Sequence, residues 1–557
     1  MSNKFAAQCS VLLVDDSPDL LPMLEHLLTA EGYRVRTATS RDQALELLED
    51  ERFHVAVIDA RLDDRDPYNY DGFRLVREVR AVDPSTAVIL MTIVADLDIA
   101  REALYSVSGE FHPVFETSRT NASAFLEKTP QALRWLPACI QRVFEDVVQV
   151  NWSLQIVDLE QFMVLMPRRM RFAGISSIPE IQSELDELLR KLFAEWERIE
   201  IHTIAEQNQG YNRAFVFQVT PFNADGEGPL LIARVGEIAT IEREVQRFRD
   251  YVEHRAQTGR HPTAILAARR TRNLGGMIYR FEGLGGNIRD FAQFFHRTKD
   301  RALITNVIGN LFVDTLALEH SQKRVTRRDA DLRDVYVKLL RLDESELQSK
   351  VDELLVIARS LGRSALAEKF GLQNTTRLIN PLEYFKSGNF KASFVETTIH
   401  GDLHGHNVLI DYCNDTWLMD FANTGRGPLL QDYVAFEASL LVENNECPPG
   451  VQLFDWTRAL FSQPGELFPM MPDRLTSAPE LIKTHQAIMT VRRLAQHGSA
   501  GERVNRAYLI GLYFTMLRLV TVRFLTPPKR FHALTVSAMV AENLMALDSG
   551  STALLRF

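Results

Sequence analysis

Residues 11–20 read VLLVDDSPDL, an apolar run that ends in two carboxylates and a turn. This pattern predicts a short buried strand with the acidic residues at its carboxyl end. The pattern recurs downstream, where apolar runs alternate with amphipathic stretches and predict an α/β doubly wound, five-stranded parallel sheet. We expect strands at 10–14, 35–37, 55–58, 87–91 and 114–115, and helices at 19–30, 41–50, 72–82 and 99–106.

Polar side chains follow three of these strands. Asp15 and Asp16 follow the first strand, Asp59 follows the third and Thr92 follows the fourth. Ligands of such sheets bind at the carboxyl ends of the strands, and grouped carboxylates repel one another unless a cation joins them. Oxygen ligands suit Mg²⁺, and a carboxylate can act as a nucleophile toward a phosphoryl group. The alternative is that these acids only form turns.

This segment resembles the receiver domain of bacterial two-component response regulators, over about residues 8–125. The resemblance implies that Asp59 accepts the phosphoryl group and that Thr92 is the switch hydroxyl. It also implies that Asp15 and Asp16 hold Mg²⁺ together with Asp59. The implied partner is a sensor histidine kinase or a phosphotransfer protein.

Two features depart from the receiver pattern. The loop at 62–70, LDDRDPYNY, is longer than the family norm, and residues 112–118, HPVFETS, lack the Lys that the family places after its fifth strand. That Lys pairs with the phosphoryl oxygens in the family. Its absence near Glu116 leaves a second interpretation open, in which the domain is a docking surface that is not phosphorylated.

The charge distribution separates this segment from the remainder. The first 125 residues carry 12 Lys and Arg against 22 Asp and Glu, which accounts for the whole net charge of −10. The remainder is balanced, so a large basic surface for nucleic acid is not expected. We expect a helical linker at 126–199, a small lobe at 200–286 and a large lobe at 287–557 with a helical insertion at about 324–370.

A second chemical motif lies far downstream. Residues 399–410 read IHGDLHGHNVLI, and residues 417–421 read WLMDF. Two strands joined by the turn at Asn414-Asp415 would bring Asn407 and Asp420 to the same end of a hairpin, where both can ligate Mg²⁺. Asp402 would then accept the proton of an attacking hydroxyl group. The alternatives are a loop without chemistry and a zinc site formed by the three histidines of the motif, His400, His404 and His406.

The motif resembles the loop HGDLHxxN of aminoglycoside phosphotransferases and choline kinases. The resemblance implies an α+β two-lobed, kinase-like fold with a helical C-terminal subdomain, loosely over residues 200–545. In that family Asp402 would be the catalytic base, and Asn407 and Asp420 would hold Mg²⁺. Gly401 stands where protein kinases usually carry Arg, which favours this branch.

The match to the family's nucleotide-binding residues is weaker than the match to its catalytic loop. Arg234, in LLIARVG, stands where the family has a strand Lys that contacts ATP, and Glu244 resembles its partner on the next helix. Arg keeps the charge but is not equivalent to Lys. The glycine-rich loop is reduced to Gly210. The alternative interpretation of Arg234 is a strand cation paired with Glu244.

Composition limits where the chain works. The four cysteines form no CxxC pair, which favours a reducing cytoplasm. Arg518 and Arg523 interrupt the apolar stretch 507–525, so we expect a buried helix and no membrane span. We predict a receiver that regulates an ATP-dependent phosphotransferase acting on a hydroxyl acceptor. The competing interpretation is a catalytically weak scaffold that binds nucleotide or protein partners.

Overall fold

The structure is a computed structural model. The residues that it describes are 6–63, 71–92, 122–160, 162–164, 178–203, 214–253, 263–281, 283, 288–322, 324–360, 378–445, 450–475, 478–499, 504–523 and 525–549. They form two compact units. The first unit draws on residues 1–204, 212–243 and 265–280, and the other described residues form the second.

The first unit begins with a five-stranded parallel sheet in the order β2-β1-β3-β4-β5. Its strands are β1 (Ser10–Val14), β2 (Arg34–Ala38), β3 (Val55–Asp59), β4 (Ala87–Thr92) and β5 (Ala124–Glu127). Its helices are α1 (Leu20–Ala30), α2 (Arg41–Asp50), α3 (Asp71–Val82), the single turn α4 (Pro130–Leu133) and α5 (Leu136–Val143). A π-helical segment, Phe144–Val148, follows α5.

Helices cover both faces of this sheet. Val11 and Leu13 pack with Leu24 of α1 on one face, and Leu12 and Val14 pack with α2 and α3 on the other. Successive residues of a strand point to opposite faces, so a continuous apolar run such as 11–14 fits a sheet that is covered twice. The predicted doubly wound fold is therefore correct for this part of the chain.

The fifth strand differs from the prediction. It is Ala124–Glu127, which pairs in parallel with β4, whereas the predicted strand at 114–115 and helix at 99–106 lie outside the described residues. The predicted end of the domain at residue 125 is also too early, because Leu133, Leu136 and Ile140 belong to the same buried core as β1. The strand was missed because it is short and half-buried and contains no β-branched residue.

The first unit also holds a seven-stranded sheet in the order β11-β12-β10-β8-β7-β6, with β9 paired to β8. Its elements are β6 (Gln155–Val157), α6 (Ile178–Leu192), β7 (Arg198–Thr203), β8 (Ala214–Asn223), β9 (Gly226–Glu227), β10 (Leu231–Glu237), α7 (Ile238–Tyr251), β11 (Thr263–Arg270) and β12 (Leu274–Phe281). The residues of α7 from 244 onward belong to the second unit. Strands β8, β10 and β12 lie within the range 200–286, which the sequence analysis assigns to a small lobe. The expected linker at 126–199 is not purely helical, since it contains β6 and the start of β7.

The second unit combines two three-stranded sheets, β13-β16-β17 and β14-β15-β18, with helices. The strands are β13 (Arg289–Asp290), β14 (Val325–Asp331), β15 (Lys391–Ile399), β16 (Val408–Ile410), β17 (Thr416–Leu418) and β18 (Gly425–Pro428). The helices are α8 (Phe291–Arg297), α9 (Arg301–Asn310), α10 (Ala317–His320), α11 (Leu332–Leu340), α12 (Glu344–Ser360), α13 (Pro381–Ser387), α14 (Leu430–Val442), α15 (Val451–Leu460), α16 (Pro479–Gly498), α17 (Asn505–Thr521) and α18 (Pro527–Asp548).

The predicted helical insertion at about 324–370 is partly wrong. Its first residues form the strand β14, which pairs with β15, and helices α11 and α12 follow. The β14 sequence VTRRDAD is exposed and polar, so it lacks the alternating apolar pattern of a strand. In the described part of the chain, none of the helices combines the length and the apolar character that crossing a bilayer requires.

Candidate functional sites

The three carboxylates of the receiver-like domain lie together. Asp59 ends β3 and Asp15 directly follows β1, and these strands are parallel neighbours with Val14 opposite Ile58. Candidate ligand oxygens of Asp15, Asp16 and Asp59 all lie within 4.8 Å of one another. Asp15 and Asp59 are buried, and Asp16 is half-buried. The sheet topology thus produces the acidic cluster that the sequence predicts.

Lys128 is the residue that sequence analysis missed. It directly follows β5, and its Nζ lies 2.9 Å from Asp15 Oδ2 and 2.5 Å from Asp59 Oδ2. Thr129 then caps the next helix by accepting a hydrogen bond from the Ala132 N–H group, and Pro130 occupies the first turn. The expectation that no Lys lies at this site is therefore wrong, since the Lys follows the true fifth strand. The sequence Lys128-Thr129-Pro130 was the available signal.

The charge balance of the cluster favours an added cation. Burial raises the pKa of Asp59 to about 7, although Lys128 opposes the rise. Burial acts to lower the pKa of Lys128, but Asp59 and Asp15 outweigh it and hold that pKa above its ordinary value. One ammonium group thus faces three carboxylates. The donor set fits a hard divalent cation such as Mg²⁺, which Asp15, Asp16 and Asp59 would hold.

Gly72, in the first turn of α3, lies directly against Asp59. A Cβ atom added there would stand 1.9 Å from the Asp59 carbonyl oxygen and 2.7 Å from the Ala60 carbonyl carbon. The backbone of β3 therefore leaves no room for any side chain at this position. The Asp71-Gly72 turn thereby fixes the end of the strand that carries Asp59.

We expect Gly72→Ala to lower the free energy of unfolding by about 1–3 kcal/mol, as overpacking against backbone generally does. The change should also slow phosphorylation of Asp59, because the strand end must shift. Scanning calorimetry and acetyl phosphate labelling measure the two effects. Gly309→Ala is the matched control, since a Cβ atom at that helical position meets nothing within 4 Å. Equal behaviour of the two variants would contradict the prediction.

Thr92 is the last residue of β4, and its strand neighbour Met91 is paired with Asp59. On the other side Thr92 is paired with Glu127, the residue before Lys128. Its backbone therefore lies at the edge of the sheet that carries the acidic cluster. The structure does not describe its side chain, so its role as the switch hydroxyl stays a prediction.

The second predicted site is built on a hairpin. Strands β16 and β17 are antiparallel with Val408 opposite Leu418, and the Met419 N–H group donates to the Asn407 carbonyl oxygen at 3.1 Å. Asn407 precedes the first strand and Asp420 follows the second, so both lie at the same end of the hairpin, as predicted. Asp420 adopts the left-handed conformation, with φ 67° and ψ 67°. Few residues other than Gly adopt it, although Asp is among the more tolerant.

Asp402 is held beside this hairpin end. The Asn407 side-chain amide donates to the Asp402 carbonyl oxygen at 2.9 Å, and the Asn423 amide donates to its carboxylate at 3.3 Å. Burial and the charge of Asp420 raise the pKa of Asp402 to about 6. The structure thus brings Asp402, Asn407 and Asp420 into one site, with a carboxylate poised to take up a proton near neutral pH.

Asp432 anchors the loop that carries this site. The fully buried carboxylate accepts hydrogen bonds from the His400 and Gly401 N–H groups at 2.9 Å each, and His320 Nε2 lies 2.9 Å away. Burial favours the neutral acid, but the His320 hydrogen bond and charge outweigh it and lower the pKa of Asp432. Gly401 has φ +83°, and a Cβ atom there would stand 2.4 Å from the Asn423 carbonyl oxygen. Only glycine fits that position.

The histidines of the loop make structural contacts instead of a shared metal site. His400 Nε2 lies 3.0 Å from the Met419 carbonyl oxygen, and His406 Nδ1 lies 2.9 Å from Asp290 Oδ2. Asp290 in turn caps α8. Within the described ranges, the group of three His, Cys, Asp or Glu residues whose ligand atoms lie close enough to hold one metal ion is Asp15, Asp16 and Asp59. The zinc alternative for His400, His404 and His406 is therefore not supported.

The predicted nucleotide-binding residues fall in different places. Arg234 lies in the middle of β10, between Val216 of β8 and Met277 of β12, and is 1% exposed. Glu244 is fully buried in the second unit and accepts a hydrogen bond from the Phe421 N–H group, next to Asp420, at 3.3 Å. Gly210 lies outside the described residues. Their roles toward ATP stay predictions.

Comparison with known families identifies the first domain. Residues 11–109 match the family described as response regulator receiver domain. Together with the parallel sheet and the acidic cluster, this match establishes that the N-terminal part of the chain is a response regulator receiver domain. Residues 341–520 match the family described as ternary complex associated domain 9, a description that names no reaction.

Similar proteins share the receiver domain. The chain is 40% identical over 82 residues to the transcriptional regulatory protein GlrR of Escherichia coli K12, covering 15% of this chain and 17% of that protein. It is 34% identical over 99 residues to ZraR of Klebsiella oxytoca, covering 18% and 21%. Thus the chain spans about a fifth of the length of these regulators.

In two further similar proteins, the match covers most of the other protein's length. The chain is 27% identical over 93 residues to sporulation initiation phosphotransferase F of Bacillus subtilis, covering 17% of this chain and 71% of that protein. Among solved structures, a receiver domain protein from Clostridium thermocellum is 24% identical, with a TM-score of 0.20, covering 25% of this chain and 94% of that one.

Proposed function

We propose that this chain is a two-component-type signalling protein, in which phosphorylation of Asp59 regulates an ATP-dependent phosphotransferase that acts on a hydroxyl acceptor. The arrangement of Asp402, Asn407 and Asp420 on one loop and one hairpin end supports the transferase half most directly. The cluster of Asp15, Asp16 and Asp59 with Lys128 supports the regulatory half.

In the receiver, the Asp59 carboxylate attacks the phosphorus atom of a phosphohistidine or of a small acyl phosphate. A new O–P bond forms, the bond from phosphorus to the leaving group breaks, and the leaving group departs with the electron pair of that bond. Bound Mg²⁺ would neutralise charge on the phosphoryl oxygens. Lys128 already contacts Asp59 and is positioned to transfer its ion pair to the product. The donor would be a sensor histidine kinase or a phosphotransfer protein.

In the second unit, Asp402 would accept the proton of the acceptor hydroxyl while the hydroxyl oxygen bonds to the γ-phosphorus of ATP. The bond between the γ-phosphorus and the bridging oxygen would break, and ADP would leave with its electron pair. Asn407 and Asp420 would hold Mg²⁺, which supplies charge neutralisation for the phosphates. Asp432 keeps the loop in place through the backbone of His400 and Gly401. Arg234 and Glu244 are the proposed contacts on the nucleotide side.

The direct test measures ATP consumption with Mg²⁺ across a panel of hydroxyl compounds, followed by detection of the phosphorylated product. Turnover with any acceptor supports the transferase. If the wild type is as inert as a variant without the Asp402 carboxylate, the scaffold alternative replaces it. Labelling with acetyl phosphate tests the receiver half independently, because it needs no acceptor.

The pH dependence of transfer should follow the ionisation of Asp402. Because a general base must be ionised and the pKa of Asp402 is about 6, we expect kcat/KM to rise about tenfold per pH unit below 6 and to level off above 7. A pH–rate series from 5 to 8.5 measures this limb, and Asp402→Asn should lack it. A wild-type profile that is flat or falls with rising pH would argue against Asp402 as the base.

A further inference from the structure

The receiver sheet has a second polar edge, opposite the acidic cluster. We name it the strand-start edge and define it by Ser10, residues 52–54 and residues 83–86. The Ser10 N–H group donates to His54 Nδ1 at 3.0 Å, and Ser10 Oγ donates to the Arg52 carbonyl oxygen at 3.1 Å. Thr86 Oγ1 donates to the Phe53 carbonyl oxygen at 2.8 Å. These bonds tie the starts of β1, β3 and β4 to one another.

This edge is ion-paired to helix α6, which packs on the seven-stranded sheet. Arg52 pairs with Glu187 of α6, and Lys191 Nζ lies 2.7 Å from Glu187 Oε1. Lys191 also donates to the Arg270 carbonyl oxygen of β11 at 3.2 Å. The side chains of Glu187 and Lys191 are only 8% and 4% exposed. The two sheets thus share a group of alternating charges, in which Glu187 and Lys191 are buried and Arg52 is half-buried.

The turn between β11 and β12 completes this contact. Arg272 donates to the carbonyl oxygen of Leu48, in α2 of the receiver, at 3.0 Å. Glu184 of α6 holds the turn, because its Oε2 accepts from Thr271 Oγ1 at 2.6 Å and from the Asn273 N–H group at 2.9 Å. We name the strand-start edge, α6 and this turn together the receiver junction.

The receiver junction does not resemble a flexible tether. Removing one partner of a buried ion pair leaves an uncompensated charge in a low-dielectric environment, which is strongly unfavourable. Opening the contact would separate Arg52 from Glu187 and would leave the carbonyl oxygen of Leu48 without Arg272. The receiver and the seven-stranded sheet are therefore held in one arrangement by specific bonds, within the same compact unit.

The strands connect the junction to the phosphorylation site. Strand β3 carries Asp59 at its end, and Arg52 and His54 lie just before its start. All five of its residues are buried, and at about 3.3 Å per residue it spans about 16 Å. Strand β1 likewise runs from Ser10 to the residue before Asp15. Because close-packed interiors transmit displacement, a shift at one end of these strands is felt at the other.

We propose that the receiver junction is the output surface of the receiver, through which the state of Asp59 is communicated to the module built on the seven-stranded sheet. The partner of this surface is α6 and the β11–β12 turn of the same chain. The inference rests on the proposed phosphorylation of Asp59 but not on the transferase reaction. Phosphorylation alters the charge that Lys128 balances at one end of β1 and β3, and the ion pairs at the other end respond.

Hydrogen exchange on the full-length chain tests this communication. The protein is treated with Mg²⁺ and beryllofluoride, a phosphoryl mimic. Binding of beryllofluoride is measured in the wild type and in Asp59→Asn, and binding that is absent in the variant is assigned to Asp59. We expect amide exchange in residues 183–192 and 269–273 to change at least threefold on loading. Loading without any change there overturns this inference alone. Failure to load Asp59 overturns the proposed phosphorylation, and this inference with it.

Variants of the junction provide the reciprocal test, since coupling between two sites acts in both directions. Arg52→Gln and Glu187→Gln should each change the rate of acetyl phosphate labelling at Asp59 several-fold, and the double variant should differ from the product of the two effects. Arg272→Ala removes the hydrogen bond to the Leu48 carbonyl oxygen, and it replaces either of these variants if that variant fails to fold. Arg36→Gln is the control, because its ion pair with Glu51 is solvent-exposed. Wild-type labelling in every folded junction variant overturns the proposal.

Discussion

Asp59→Asn should abolish phosphorylation of the receiver by acetyl phosphate. The variant keeps the shape of the side chain at the end of β3 but replaces the nucleophilic carboxylate with an amide, which cannot form the acyl phosphate. We therefore expect complete loss and not a partial reduction. Intact-protein mass spectrometry detects the added phosphoryl mass directly.

Asp42→Asn is the matched control for this experiment. Asp42 belongs to the same domain, but its side chain is 84% exposed on α2. Its labelling should equal that of the wild type. If Asp59→Asn still acquires the phosphoryl mass, the acceptor is another residue. If the wild type acquires none in the presence of Mg²⁺, the receiver is a docking domain, despite the presence of Lys128.

The second large effect is expected for Asp402→Asn. The amide preserves the size of the side chain and can still contact Asn423, but it does not accept a proton from the acceptor hydroxyl. General base catalysis typically contributes about 10²- to 10⁴-fold, so kcat should fall by that factor. Nucleotide affinity should change little, because in the proposed mechanism Asp402 acts on the acceptor. Product formation and nucleotide binding measured on the same preparation separate the two effects.

Asp352→Asn is a suitable control, since Asp352 is an exposed residue on α12 that accepts a side-chain hydrogen bond from Gln348 of the same helix. Its kcat should match the wild type. A loss confined to nucleotide binding in Asp402→Asn would contradict the assigned role. Equal turnover in Asp402→Asn and the wild type would show that another group accepts the proton.

Sequence analysis predicted the elements whose position depends on the local pattern of apolar and polar residues. The apolar runs before Asp15 and Asp59 specify adjacent buried strands, and the topology of a parallel sheet then brings the two carboxylates together. The hairpin at the second site was predictable for a similar reason. The turn between its strands is short, so Asn407, which precedes the first strand, and Asp420, which follows the second, meet at the open end of the hairpin.

Other features were decided by tertiary contacts that no local pattern records. The strand Ala124–Glu127 is half-buried and short, so its pattern did not reveal it, and Lys128 was consequently missed. Strand β14 is exposed and forms through pairing with β15. Arg52, Glu187 and Lys191 look like ordinary surface charges in the sequence. Glu187 and Lys191 are nevertheless buried, and Glu187 pairs with Arg52, which lies more than 130 residues away in the sequence.

The left-handed backbone of Asp420 has a consequence for the history of such chains. A non-glycine residue in this conformation carries a conformational cost that folding alone would remove by choosing Gly or Asn. In the proposed mechanism, the carboxylate offsets that cost by holding Mg²⁺. In lineages that have lost catalysis, we therefore expect this position to drift early to Gly or Asn. The residue at position 420 would then distinguish related chains that keep the proposed activity from those that have lost it.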